Sequence, residues 1–196
     1  SQIYGSDAIT ADKLRTHVGG QLKTSEGNLL PYNNAETFPT GTVSLANDSH
    51  IVPDDQLFAA GDVRANENIE LTSLHTLFVR EHNRVAASIA AANPSLSDEA
   101  IYQQARARVI GELQVITYKE WLPSLLGQQL RPYQGYNPSV NPGIANEFST
   151  SAFRLGHSML GDDVEFLDNN GQEVDEAIPL SQAFFNPPEL TDHGIE

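Results

Sequence analysis

His157 and Arg154 stand three residues apart in Ala152-Phe153-Arg154-Leu155-Gly156-His157, a spacing that puts both side chains on one face of a helix. An imidazole can ligate iron, and the small residues Ala152 and Gly156 would let a flat ring come close to the helix. A guanidinium alongside would bind carboxylates carried by such a ring. On spacing alone the ordinary reading is a core or surface histidine beside a solvated arginine. Arg64 and Glu67 form a second pair, Arg-x-x-Glu, directly after Gly61-Asp62. A permanently charged guanidinium can stabilise the charge that develops as an O–O bond breaks. The plain alternative is a helix-start acid and a surface ion pair worth about 0–1 kcal/mol. His75 and His82 suggest a metal, but seven residues of helix separate them by about 10 Å. Two ligands of one zinc ion each lie about 2 Å from it, so both rings are expected on a buried stripe with their nitrogens hydrogen-bonded. Asp162-Asp163 and Asp168-Asn169-Asn170-Gly171 are acidic but do not complete the roughly 12-residue EF-hand pattern. A plain acidic turn is expected there.

The elements that must position these groups follow from periodicity and turn chemistry. Residues 1–60 are rich in turn formers: Gly19-Gly20, Gly27-Asn28, Pro31, Pro39-Thr40-Gly41 and Pro53-Asp54-Asp55. Only Asp7–Val18 has a helical pattern, and a long irregular stretch in a compact domain is expected to lie over another part of the fold. From Glu67 the pattern changes. His75, Phe78, His82, Val85 and Ile89 step by 3, 4, 3 and 4, with Leu71 and Leu74 leading into the stripe. Asn93-Pro94 stops that helix. Ser97, followed by Asp98 and Glu99, caps the next one, which runs to about Tyr118. Trp121-Leu122-Pro123 reads as a hinge into a short apolar turn ended by Gly127. Residues 131–146 read as a loop. Glu147–Leu160 returns to helical spacing through Phe148, Ala152, Leu155 and Met159. Val164–Gly171 is a short strand and turn, so the fold class is mainly α with a β hairpin near the C-terminus.

Composition bounds the function classes. The 196 residues suit one domain, and 39% apolar content can supply a core. The net charge of −15, from 26 acidic against 11 basic side chains, repels phosphate backbones, so nucleic acid is not an expected partner. No run reaches the roughly 18 apolar residues of a membrane span. There are no cysteines, which leaves no disulfide, thiolate ligation or iron–sulfur cluster. The chain opens on Ser1-Gln2-Ile3-Tyr4-Gly5 and stops at Gly194-Ile195-Glu196. Residues 1–196 are accordingly expected to be the central part of one domain, truncated at both ends.

Several phrases together resemble the animal-type haem peroxidases of the peroxidase–cyclooxygenase superfamily. They are Tyr4-Gly5-Ser6, Ala60-Gly61-Asp62-Val63-Arg64-Ala65-Asn66-Glu67-Asn68, Leu74-His75-Thr76-Leu77-Phe78-Val79-Arg80-Glu81-His82-Asn83-Arg84, Tyr118-Lys119-Glu120-Trp121-Leu122-Pro123 and Glu147-Phe148-Ser149-Thr150 leading to Phe153-Arg154-Leu155-Gly156-His157-Ser158. They occur in the family's order over almost the whole chain. The resemblance implies a haem b cofactor with His157 as proximal iron ligand and Arg154 on a propionate. It implies Arg64 as the distal catalytic arginine and Glu67 as the carboxylate that some members esterify to a haem methyl. Asn68 stands where one branch has the methionine of a sulfonium link, so that link is not expected. Cyclooxygenase-like members have a radical tyrosine three residues before the proximal histidine, and here that residue is Arg154. The family's distal histidine and a calcium-ligand aspartate belong to a segment before Ser1.

The implied activity is reduction of hydrogen peroxide with oxidation of a small electron donor such as a halide or phenol, in a secreted protein. It would form part of the response to oxidative stress. A fatty-acid dioxygenase of the same superfamily and a non-catalytic adhesion module are the alternatives. Arg154 argues against the first, and the joint presence of Arg64, Glu67, Arg154 and His157 against the second.

Overall fold

A computed structural model describes residues 2–193. Its frame is an antiparallel helical pair, α2 (Ile69–Ala92) and α3 (Asp98–Val115), with a small helix α1 (Ala8–Lys13) before it. Asn68 caps α2 by accepting the Leu71 N–H at 2.8 Å, and Ser97 caps α3 by accepting the Ala100 N–H. The buried residues of α2 form one stripe: Ile69, Thr72, His75, Thr76, Val79, His82, Val85 and Ala86. Leu74, expected to lead into it, instead faces outward and is 52% exposed, as is Leu77. Where the two helices cross, the small Ala86 and Ala105 lie with Val85 and Ile101, which lets the backbones come close.

The expected N-terminal helix is shorter than its pattern. Asp7 caps α1 through the Ile9 and Thr10 N–H groups, but the helix ends at Lys13 because Leu14 turns into the core and Arg15 bridges to Leu22. The irregular stretch does lie over the helical pair. Leu22, Leu30, Phe38, Val43 and Phe58 from it join Ile69 and Val79 of α2 and Tyr102 and Val109 of α3 in the main core. The phrase Arg80-Glu81-His82-Asn83-Arg84 is the anchor of that loop. Arg80 donates to the carbonyls of Gly27 and Asn28, and Asn83 exchanges two hydrogen bonds with the Leu22 backbone. His82 reaches the Gly20 carbonyl, while Glu81 and Arg84 pair with each other at 2.6 Å.

Beyond Val115 the helix does not stop at a hinge. It widens into a π turn, Ile116–Trp121, and resumes as α4 (Leu122–Leu126). The Leu122 N–H bonds back five residues to Thr117. Pro123 has no N–H to give, and a wider turn ahead of it accommodates the proline within the helical path. Gly127 ends it in the left-handed conformation, φ 66°. The expected helix Glu147–Leu160 is broken in two: α5 (Asn146–Thr150), then a 3₁₀ turn, Ala152–Met159, with the kink at Ser151 (φ −128°, ψ −68°). Its apolar residues Phe148, Phe153, Leu155 and Met159 are all exposed, so no core contact holds them to a straight α-helix.

The hairpin β1 (Asp163–Leu167) and β2 (Glu173–Pro179) is antiparallel, pairing Val164 with Ile178 and Phe166 with Asp175. Asp168 shapes its turn by accepting from the backbone of Asn170 and Gln172, which is the plain acidic turn expected. Helix α6 (Pro187–His193) returns the chain to α2. Among the described residues no helix is long and apolar enough to cross a membrane.

Candidate functional site

Arg64 sits on a corner between the irregular stretch and α2 that the sequence builds from side chains bonding backbone. Asn66 is buried, and its amide exchanges two hydrogen bonds with the Phe58 backbone at 2.9 and 2.8 Å. Thr72 reaches back from α2 to the Ala65 carbonyl at 2.7 Å. The Phe185 N–H is shared between the carbonyls of Asn66 and Glu67. Three elements therefore hold residues 64–68 in place, and none of those bonds involves the Arg64 side chain.

The Arg64 guanidinium is oriented by Asp62 and not by Glu67. Its Nε and one terminal nitrogen meet the two carboxylate oxygens at 3.0 and 3.1 Å. The Arg64 backbone N–H also donates to Asp62. This tight turn sets the carboxylate under the guanidinium, a geometry that the Arg-x-x-Glu spacing did not suggest. Hydrogen bonding to Arg64 holds the Asp62 carboxyl down at about 2. Asp62 is largely covered while Arg64 is 65% exposed, so the pair presents a fixed cation to the surface. Glu67 is half-buried, with its N–H on the Arg64 carbonyl.

His75 lies near this corner: the charges of Asp62 and Arg64 both act on it, and burial lowers its pKa. Its Nδ1 is 2.7 Å from the Leu71 carbonyl. Its Nε2 is buried without a partner among the described residues, so the expectation that both nitrogens are bonded fails for this ring. His82 meets it fully, with Nδ1 3.0 Å from the Tyr4 hydroxyl and Nε2 2.9 Å from the Gly20 carbonyl.

Arg154 and His157 lie in the 3₁₀ turn, where residues three apart stand directly above one another. Both are exposed, and no hydrogen bond or ion pair engages either side chain among the described residues. A Cβ at Gly156 would meet nothing within 4 Å, so the turn is open around the imidazole. The 3₁₀ turn packs chiefly on α5, and no bond described here joins it to the Arg64 corner. The donor set fits a haem: an imidazole for iron, a guanidinium for a propionate, and the exposed apolar Phe153, Leu155 and Met159 for a macrocycle.

The family model of animal haem peroxidases matches residues 1–196. The chain belongs to that family. It is 39% identical to Peroxinectin A of Dictyostelium discoideum over 197 residues, which covers 99% of this chain and 35% of that protein. Among solved structures, Peroxidase A from the same organism superposes with a TM-score of 0.88 at 38% identity, covering 98% of this chain and 37% of that one. A fatty acid alpha-dioxygenase from Oryza sativa has a TM-score of 0.75 at 22% identity over all of this chain and 35% of that one, a likeness of fold. The chain thus spans about a third of the length of these relatives. The mainly helical fold with its late hairpin is that of this peroxidase family.

The sequence singled out Arg64, Glu67, Arg154 and His157 as candidates but not two side-chain partners that the fold supplies, Asp62 and Tyr4. Asp62 was present in the Gly61-Asp62 step, and its proximity to Arg64 in sequence was the available signal. Tyr4 carried no signal toward His82, because 78 residues separate them.

Proposed function

We propose that the protein to which this chain belongs is a haem-dependent peroxidase that reduces hydrogen peroxide and oxidises a small donor such as a halide or phenol. The observation that carries the reading is the Arg64 corner. The Arg64 guanidinium is paired through two hydrogen bonds to Asp62, is mostly exposed, and stands on a backbone corner that three elements brace. This is the arrangement required of a charge that must already be in position when an O–O bond breaks.

In this reading His157 supplies the proximal nitrogen to iron and Arg154 binds a propionate. Glu67, beside Arg64, takes the position from which some members form an ester to the haem. Haem, when bound, supplies the redox chemistry. The residues of this chain hold and orient it. Arg64 would stabilise the negative charge that develops on the departing oxygen, and the Asp62 carboxylate orients that guanidinium through two hydrogen bonds. Arg154, three residues before His157, supports peroxidase over fatty-acid oxygenase chemistry. The reading includes an extracellular location, which the acidic surface permits and which fractionation of producing cells would check.

The test uses the full-length protein. His157→Ala is expected to abolish the haem Soret band, and full haem occupancy in that variant would remove the ligand assignment. Arg64→Ala is expected to keep the band but to react with peroxide about 10²–10³ times more slowly, the usual loss for one fixed donor. Unchanged kinetics would remove the catalytic role of Arg64.

A further inference from the structure

His82 is fully buried on α2, between Tyr4 and Tyr102. Its ring meets Tyr4 edge-on at 5.4 Å between centroids and Tyr102 at 5.3 Å, and the two tyrosines are 6.0 Å apart. The hydrogen bonds settle the proton positions. Gly20 offers a carbonyl oxygen, which only accepts, so Nε2 carries the hydrogen in that 2.9 Å contact. His82 is fully buried, which disfavours the imidazolium and lowers its pKa; in the neutral ring with hydrogen on Nε2, Nδ1 carries the lone pair. The Tyr4 hydroxyl, 3.0 Å away, therefore donates to Nδ1. Burial pushes the Tyr4 pKa well above its ordinary value, so the phenol stays protonated at any physiological pH.

A phenol hydrogen-bonded to a neutral imidazole can lose an electron at far lower cost than a phenol alone, because the proton moves as the electron leaves. We infer that Tyr4 and His82 form a proton-coupled redox pair that stores an oxidising equivalent passed out from the haem. The inference rests on the peroxidase reading. In the forward step Tyr4 would give up one electron, with peroxide-oxidised haem as the one-electron oxidant, while its hydroxyl proton crosses to His82 Nδ1. The products on this chain would be a neutral Tyr4 phenoxyl radical and an imidazolium still bonded to the Gly20 carbonyl, the electron having passed to the oxidant. A reductant returns the electron, and the proton goes back to the Tyr4 oxygen.

Charge placement selects Tyr4 over Tyr102. The Arg15 guanidinium lies 4.0 Å over the Tyr102 ring, whereas the nearest described cation over Tyr4, Arg106, is at 5.5 Å. A positive charge against a ring face opposes removal of its electrons. Glu112 and Tyr102 also act electrostatically on Tyr4, and Arg15 acts on His82. A surface cleft of about 380 Å³ is lined by Tyr4, Tyr102, Arg15 and Arg106, which gives a small reductant a side from which to approach the pair.

The test is high-field EPR of the full-length haem protein frozen just after peroxide addition. The expected signal is a tyrosyl radical whose largest g component is lowered by a hydrogen bond donated to the phenoxyl oxygen. Tyr4→Phe should lose most of it, and Tyr102→Phe should keep it. Deuterium ENDOR on wild type labelled with ¹⁵N-histidine needs no substitution and should show an exchangeable deuteron on an imidazole nitrogen at that oxygen. A signal unchanged in Tyr4→Phe, or tyrosyl radicals without that deuteron, would overturn the pair. If the haem does not bind or react, the peroxidase reading has failed on its own. The same spectra are then taken after flash oxidation with a ruthenium polypyridyl photo-oxidant, where absence of the hydrogen-bonded radical overturns the pair independently.

Discussion

Asp62 shows how one side chain converts a flexible arginine into a fixed charge. Its carboxylate accepts from the Arg64 backbone N–H and from two guanidinium nitrogens, which favours one orientation of the long Arg64 side chain. The pair also has a pH signature. The Asp62 carboxyl falls from its usual 3.8 to about 2 in the fold, so the folded state favours the ionised form. The stabilisation from that pair is present above about pH 4 and is lost as pH falls through about 2. Over that interval wild type should lose more stability than Asp62→Asn, measured by denaturant titration at a series of pH values. Parallel losses in the two proteins would show that the pair adds nothing to the fold.

At the scale of elements, the helical pair is held to the irregular stretch through Gly20. This residue has φ +68°, its N–H donates to Asp98 at 2.6 Å, and its carbonyl accepts from His82. A Cβ there would lie 2.5 Å from the Tyr102 backbone nitrogen and 2.7 Å from Ile101 Cγ2. Backbone strain and a clash with the start of α3 act together, so Gly20→Ala should cost at least about 2 kcal/mol. A shift of the urea midpoint tests this, and a midpoint within error of wild type would mean that the loop relaxes freely. The start of α3 was legible in the sequence because Ser97 acts locally, on a backbone N–H three residues away; the equivalent cap by Asn68 at α2 is seen only in the structure. The π turn before Pro123 and the kink at Ser151 were not legible, because an amphipathic period does not distinguish an α-helix from its wider and tighter variants when few core contacts enforce one of them.

The whole molecule exposes 12713 Å², whereas a compact monomer of 21.4 kDa exposes about 9,100 Å². The excess is rich in apolar side chains: Leu74 and Leu77 on α2, Ile144 and Phe148 around α5, and Phe153, Leu155, Met159 and Leu160 beside His157. Such an area is characteristic of a surface that another part of a protein covers. Peroxinectin A and Peroxidase A of Dictyostelium discoideum are about three times as long as this chain. The 196-residue chain on its own should therefore brighten a hydrophobic fluorescent dye far more than the full-length protein does. Equal brightness would show that this face stays open in the longer protein.

Local chemistry was readable from the residues alone. The Ser97 cap, the stripe of α2 and the acidic hairpin turn all depend on residues within a few positions of one another. The tertiary structure decided what depends on distant residues meeting. It placed Tyr4 on His82, put the loop that follows α1 under the grip of Arg80 and Asn83, and left His75 Nε2 without a partner among the described residues. A linear pattern records which side chain can donate or accept, but only the closed chain determines which of them come within about 3 Å of one another.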